Sequence, residues 1–237
     1  MRINKFLSLS GLGSRRGVEK LIIDGCVTLN SAKASLTDRV EEGDVVEVDG
    51  KTVCSEEFVY YVFNKPIGVI SSNMKESRDK IVLDFFARKD LSICGRLDKQ
   101  SRGLMVLTND GDLAYRLTHP KFDHEKEYIV DVKSKSNFPS RDFAMALKLF
   151  KCGHTIDDKK TRPAYAIVIS QNGKNAKFRI ILKQGIKRQI RRTFEKAMIE
   201  VVDLERIRIG AVRLEDLAAG EFKKISSKFF IKRTEDS

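Results

Sequence analysis

The sequence predicts an α+β fold in two parts, and three features of its 237 residues carry that reading. Basic charge gathers in one short opening segment and acidic charge in the next. Beyond them, strand-like stretches are short and do not alternate steadily with long helices, which favours a mainly antiparallel sheet over a doubly wound parallel one. A hydrophobic content of 41% suffices for a proper core. A small domain over residues 1–57 and a larger one over 58–237, with a central cleft, is the expected organisation.

In the first part, Ile3, Phe6, Leu7 and Leu9 give a helical face that stops at Gly11-Leu12-Gly13. Ser14 is placed to cap a second helix over 15–23, and Asp24-Gly25 turns the chain. Strands are expected over 27–29 and 45–48, the second ending at Asp49-Gly50. Residues 51–58, polar and acidic, read as a linker. Residues 1–40 hold seven Lys/Arg against three Asp/Glu, and residues 41–57 hold seven Asp/Glu against one Lys. Arg15, Arg16 and Lys20 therefore present a cationic helix; alone, such a run serves equally well to solvate an exposed face.

In the second part, strands are expected over 59–63, 91–94, 104–108, 128–132, 164–170 and 177–182, with a short helix over 81–86 and helices over 112–118 and 140–149. His119, before Pro120, ends the first of those longer helices. Another helix opens after Gly185 and carries Arg188, Arg191 and Arg192. Residues 183–192 contain five basic side chains and no acid, an RNA-backbone footprint in its own right. Arg188 and Arg192, four apart, share a face, while Arg191 can turn toward the cleft. The end, 233–237, is polar and expected to fray.

The 45 basic and 33 acidic residues give a formal charge of +12, which calls for a polyanionic partner, either nucleic acid or an anionic membrane surface. Nothing approaches the roughly 20 apolar residues of a membrane span, and the opening residues lead into no signal-peptide run, so a cytoplasmic protein is expected; docking on a membrane would want an amphipathic helix with bulky apolar residues opposite Lys/Arg, for which the chain offers no strong case, so no membrane partner is expected. Cys26, Cys54, Cys94 and Cys152 offer no paired metal-ligand spacing and read as small apolar residues. His119, His124 and His154 form no metal-hydrolase arrangement, so neither a metal nor a cofactor is expected.

The most informative stretch is Gly95-Arg96-Leu97-Asp98-Lys99-Gln100-Ser101-Arg102-Gly103-Leu104, a polar, glycine-punctuated loop between apolar strands. Such a loop holds a reactive side chain at a cleft, although a loop Asp more ordinarily caps nearby amides. Tyr128 alternates with Val130 and Val132 and suits a strand core.

Further strings change that balance: Asn64-Lys65-Pro66-Ile67-Gly68, Glu125-Lys126-Glu127-Tyr128, Gly185-Ile186-Lys187-Arg188-Gln189-Ile190-Arg191-Arg192 and Leu204-Glu205-Arg206-Ile207-Arg208-Ile209-Gly210. With the Gly95 loop they resemble, in order, the motifs of ribosomal RNA pseudouridine synthases of the ribosomal small-subunit type and their large-subunit relatives. The opening helix pair, with Gly13-Ser14-Arg15-Arg16-Gly17, is similar to the S4 RNA-binding domain that this family carries. The resemblance implies that Asp98 is the catalytic carboxylate, Arg191 its partner and Tyr128 the ring that stacks on the displaced base. It also implies RNA contacts by Arg15, Arg16, Lys20, Arg96, Arg188 and Arg192, without cofactor; Lys65 either adds a phosphate contact or serves equally well as a solvated surface residue. A carboxylate in a closed site tends to take up a proton, and a nearby guanidinium opposes this. The chain departs from the family pattern at Thr193, where Met is frequent, and over Lys196-Ala197-Met198, where Gly is common.

The implied activity is isomerisation of ribosomal RNA uridines, by cleaving the N1 glycosidic bond and rejoining through C5. The implied substrate is ribosomal RNA, the large subunit preferred over the small, or a ribosome assembly intermediate, met by a monomer. The rival reading is a non-catalytic S4-type RNA-binding or ribosome-assembly protein on the same scaffold.

Overall fold

In a computed structural model, which describes residues 1–13, 15–54, 56–74, 78–88 and 90–230, the chain divides into two units. One comprises Met1–Val59 with Arg88–Leu91; the other comprises Tyr60–Ala87 and the chain from Ser92 onward. The cap expected at Ser14 and the fraying expected over 233–237 lie outside the described residues.

The first unit opens with α1 (Ile3–Leu9) and α2 (Arg15–Ile23). Ile3 and Leu7, then Val18 and Ile22, stand four apart, so each pair lies on one helix face, and all four bury against Val27 and Val46. Those valines belong to an antiparallel sheet ordered β2-β1-β3-β4, made of β1 (Val27–Leu29), β2 (Ala32–Lys33), β3 (Val46–Val48) and β4 (Lys51–Val53). β4 corrects the linker expected over 51–58. Asp49 and Gly50 both take positive φ, 49° and 74°, as a two-residue hairpin turn requires, so the chain folds straight back onto β3 instead of leaving it. Arg15, Arg16 and Lys20 are exposed on α2.

The second unit runs β5 (Tyr60–Lys65), β6 (Ser92–Cys94), β7 (Arg102–Thr108), α3 (Gly111–Thr118), β8 (Lys126–Ser134), α4 (Pro139–Cys152), a hairpin of β9 (Thr155–Ile156) and β10 (Lys159–Lys160), β11 (Tyr165–Asn172), β12 (Asn175–Leu182), α5 (Gln189–Lys196), β13 (Ile199–Ile209), β14 (Val212–Arg213) and β15 (Phe222–Lys224). The short helix expected over 81–86 is a 3-10 turn, Val82–Phe85. Nine strands form one sheet with the path β11-β12-β8-β13-β7-β5-β15, β6 pairing β7 and β14 pairing β13. Among its described strands only β7 and β13 run parallel. Phe143 of α4 and Phe194 of α5 pack edge-on against Phe178 of β12, with ring centroids 5.8 and 5.0 Å apart.

One strand goes unpredicted and two expectations need correction. The longest strand, β13, was not marked by apolar alternation, because Glu200, Asp203, Glu205, Arg206 and Arg208 interrupt both of its faces. Arg188 is not a helical residue sharing a face with Arg192: at φ 55° it is the left-handed residue preceding α5. Of the four cysteines, all free thiols, only Cys94 is buried; Cys54 and Cys152 are exposed.

Candidate active site

The second unit contains a cleft of about 550 Å³, lined among others by Ser71, Arg96, Asp98, Lys126, Tyr128, Arg188, Arg191 and Arg206. Its centre is the loop joining β6 to β7. Six successive carbonyls of that loop each accept a hydrogen bond. Arg96 receives one from the Arg206 guanidinium at 3.5 Å, Leu97 from Ser71 Oγ at 2.8 Å and Asp98 from the Ser101 amide at 3.0 Å. Lys99 receives one from the Gly68 amide at 2.8 Å, Gln100 from Arg191 at 2.9 Å and Ser101 from Lys65 Nζ at 2.7 Å. A loop would ordinarily leave such groups to water; here they fix Asp98 on a rigid support.

The Asp98 side chain is 33% exposed, and its carboxylate lies 4.0 Å from the Arg188 guanidinium. That pairing differs from the expected one. Arg191 instead bonds two main-chain carbonyls, Gln100 and Val201 at 3.1 Å, and so holds the loop rather than the carboxylate. Burial, with Arg188 close by, pushes the Arg191 pKa down, and Asp98 and Asp203 oppose the shift.

Lys65, expected as a phosphate contact or a solvated surface residue, needs the plainest correction. It is 0% exposed, and Nζ bonds the carbonyls of Pro66 at 2.9 Å and Ser101. An ammonium inside the protein meets no RNA backbone. Burial pulls its pKa down to about 8, with Asp98 pushing the other way and Arg206 adding to the fall.

Tyr128, 8% exposed, lies in the cleft wall on β8, opposite Ile180 of β12 and Arg206 of β13. On the other face of β8, Glu127 accepts from Arg179 and Arg208, both at 2.6 Å. Arg96 and Arg188 are exposed at the rim, and Arg192 is paired with Asp157. Arg15, Arg16 and Lys20 belong to the first unit. Sequence reasoning missed Ser71, Lys126 and, above all, Arg206, which is 2% exposed. Strand alternation of Arg206 with Leu204, also buried, was the signal that could have found it.

With the geometry in place, similarity to known proteins is extensive. Residues 59–196 match the family model described as RNA pseudouridylate synthase, and residues 1–46 match that of the S4 domain. The dual-specificity RNA pseudouridine synthase RluF of Escherichia coli is 37% identical over 95% of this chain and 76% of its own length. The ribosomal large subunit pseudouridine synthase B of Bacillus subtilis is 34% identical over 95% and 92%. A crystal structure of a pseudouridylate synthase superposes with a TM-score of 0.61 at 26% identity, covering 97% of this chain and 98% of that one.

Proposed function

The chain belongs to the RNA pseudouridylate synthase family, and we propose that it isomerises specific uridines of ribosomal RNA at the cleft around Asp98. The large subunit is the preferred target, a reading that the name of the Bacillus subtilis relative supports. The protein works as a cytoplasmic monomer, on free RNA or on an assembly intermediate.

In the reaction the bond from the ribose C1′ to N1 of uracil breaks, the base turns, C5 bonds to C1′, the C5 hydrogen leaves as a proton and N1 takes one up. Asp98 serves as the carboxylate at the reacting sugar or base. The carriage of Asp98 supports this most: a carboxylate open to the cleft on a loop whose six carbonyls are all engaged is pre-positioned, and positioning lowers the barrier. Arg188 sets a positive charge 4.0 Å from that carboxylate. Tyr128 offers a ring face for the displaced base. Arg96, Arg188 and Arg192 hold phosphates at the rim, and Arg15, Arg16 and Lys20 hold RNA through the S4 domain, adding affinity rather than sequence choice.

The test is tritium release from unmodified ribosomal RNA labelled at uridine C5, free and in subunit intermediates. Wild type should release tritium and Asp98→Asn should not, with both binding RNA alike. Release by the variant would remove Asp98 from its role; no release by wild type despite tight binding would replace catalysis with an assembly role.

A further inference from the structure

The cleft floor is electrostatically incomplete. Among the described residues, five buried side-chain nitrogens and oxygens have no partner, and four of them belong to residues lining the cleft: Ser101 Oγ, Gln184 Nε2, Arg191 Nε and Arg206 Nη2. A buried donor without an acceptor is costly, more so when it carries charge, and such groups are the exception in folded proteins. Arg206 is the extreme case. Its Nε bonds the Leu104 carbonyl at 2.8 Å and Nη1 reaches Arg96, but Nη2 has neither protein partner nor solvent. Two more cations lie near Arg206, Lys126 in the cleft lining and Lys65 under the Asp98 loop: Arg206 pushes down the pKa of both, in each case adding to a larger effect of burial. Asp98, 33% exposed, is the one carboxylate that acts on Lys65 in return, and Asp123 acts on Lys126. Positive charge thus exceeds negative along the cleft lining, a setting that suits an anion or a strong acceptor.

Resting on the uridine-isomerising reading above, we infer that Arg206 donates through Nη2 to a carbonyl oxygen of the target uracil and stabilises the ring anion formed when the glycosidic bond breaks. When C1′–N1 cleaves, the electron pair leaves with the base and its charge spreads over N1 and the ring oxygens. That pair then forms the C5–C1′ bond, after which C5 gives up its proton and N1 takes one up, leaving the product neutral. Position selects the base over a phosphate as the partner. Tyr128 and Arg206 are register partners on neighbouring strands and so share a sheet face, which sets the guanidinium beside the ring proposed to stack on the base. Phosphates have the exposed Arg96 and Arg188 at the rim. A fixed donor in a dry site acts strongly on charge that develops only in the transition state.

The experiment is single-turnover conversion at saturating enzyme, read by nucleoside analysis of digested RNA. Arg206→Lys keeps a buried cation but loses the fork. On uridine its rate should fall about a hundredfold, the usual scale for losing one such donor, with RNA affinity unchanged. On RNA whose target carries sulfur in place of the contacted carbonyl oxygen the deficit should shrink, because sulfur is a poorer acceptor and leaves the donor less to give. An equal deficit on both substrates would make Arg206 a positioning residue only and overturn the inference, as would no deficit. Wild type supplies an independent measurement should the variant fail to fold. Replacing O2 or O4 of the target by sulfur, a poorer acceptor, should slow the enzyme at one position and spare it at the other. Indifference to both substitutions overturns the inference while leaving the reaction intact; a wild type inactive on every RNA overturns the reaction itself.

Discussion

Under the loop of Asp98, Lys65 and Arg206, 0% and 2% exposed, give their hydrogen bonds to main-chain carbonyls; at the rim of the cleft Arg96 and Arg188 stand open to solvent. All four are cations within the same few motifs, yet water divides their work. An exposed guanidinium is screened and free to exchange a counterion for a phosphate. A sealed cation does neither: its charge is screened less than one at the surface, and its donors order the chain. Rim cations should therefore set binding and its salt dependence, and buried cations should set turnover and stability.

The most severe way to break the buried side is to push its strands apart. A Cβ on Gly103 would stand 2.4 Å from the Arg206 carbonyl oxygen, at φ +105°, where side chains are strained in any case. Gly103→Ala should destabilise the catalytic unit by about 3 kcal/mol or more and abolish turnover, as a urea titration and tritium release would show. A variant of wild-type stability would mean that β7 and β13 are not held in this register.

Lys65→Met is milder, since it keeps the stem and removes the charge. Freed from Lys65, the Ser101 carbonyl should let the loop drift, and turnover should fall about a hundredfold while RNA affinity and its salt slope stay put. The variant also reads the charge directly. Lys65 gives up its proton near pH 8 when folded and near the ordinary lysine value, about 10.4, when unfolded. Between these values the unfolded chain binds more protons, so this residue's contribution to stability rises with pH; its burial penalty is full below 8 and relieved above about 10.4. Urea midpoints at pH 7 and pH 10 should show that increment in wild type and its absence in Lys65→Met.

Arg96→Gln sharpens the contrast with the smallest effect. Binding should weaken alike for all RNA sequences, and the slope of log K against log salt should lose about one unit, while single-turnover rates at saturation hardly change. A large loss of rate at saturation would move Arg96 from the rim to the reacting centre.

Much of this was legible in the sequence. α1, α2 and α3 fall within a residue or two of expectation because local apolar spacing specifies which face a helix buries, and Asp110 caps α3 through the amides of Asp112 and Leu113 as a turn residue before a helix does. The motif strings pointed to the loop of Asp98 and to Tyr128 together. What failed was partnership. β4 was read as linker because its polar residues outweighed the hairpin turn before it, and β13 was passed over because its charged side chains are matched only by neighbours distant in the chain: Arg102 with Asp203 and Glu205, Glu127 with Arg208.

The same reason divides the cations. Sequence determined that basic residues crowd the motifs around Asp98, since composition and order are local properties. Only the tertiary structure decided that Arg188 faces the carboxylate while Arg191 holds the chain, and that Lys65 and Arg206 lie beneath the loop while Arg96 stands above it. Burial depends on which strands become neighbours in the sheet, and no single stretch of sequence carries that information.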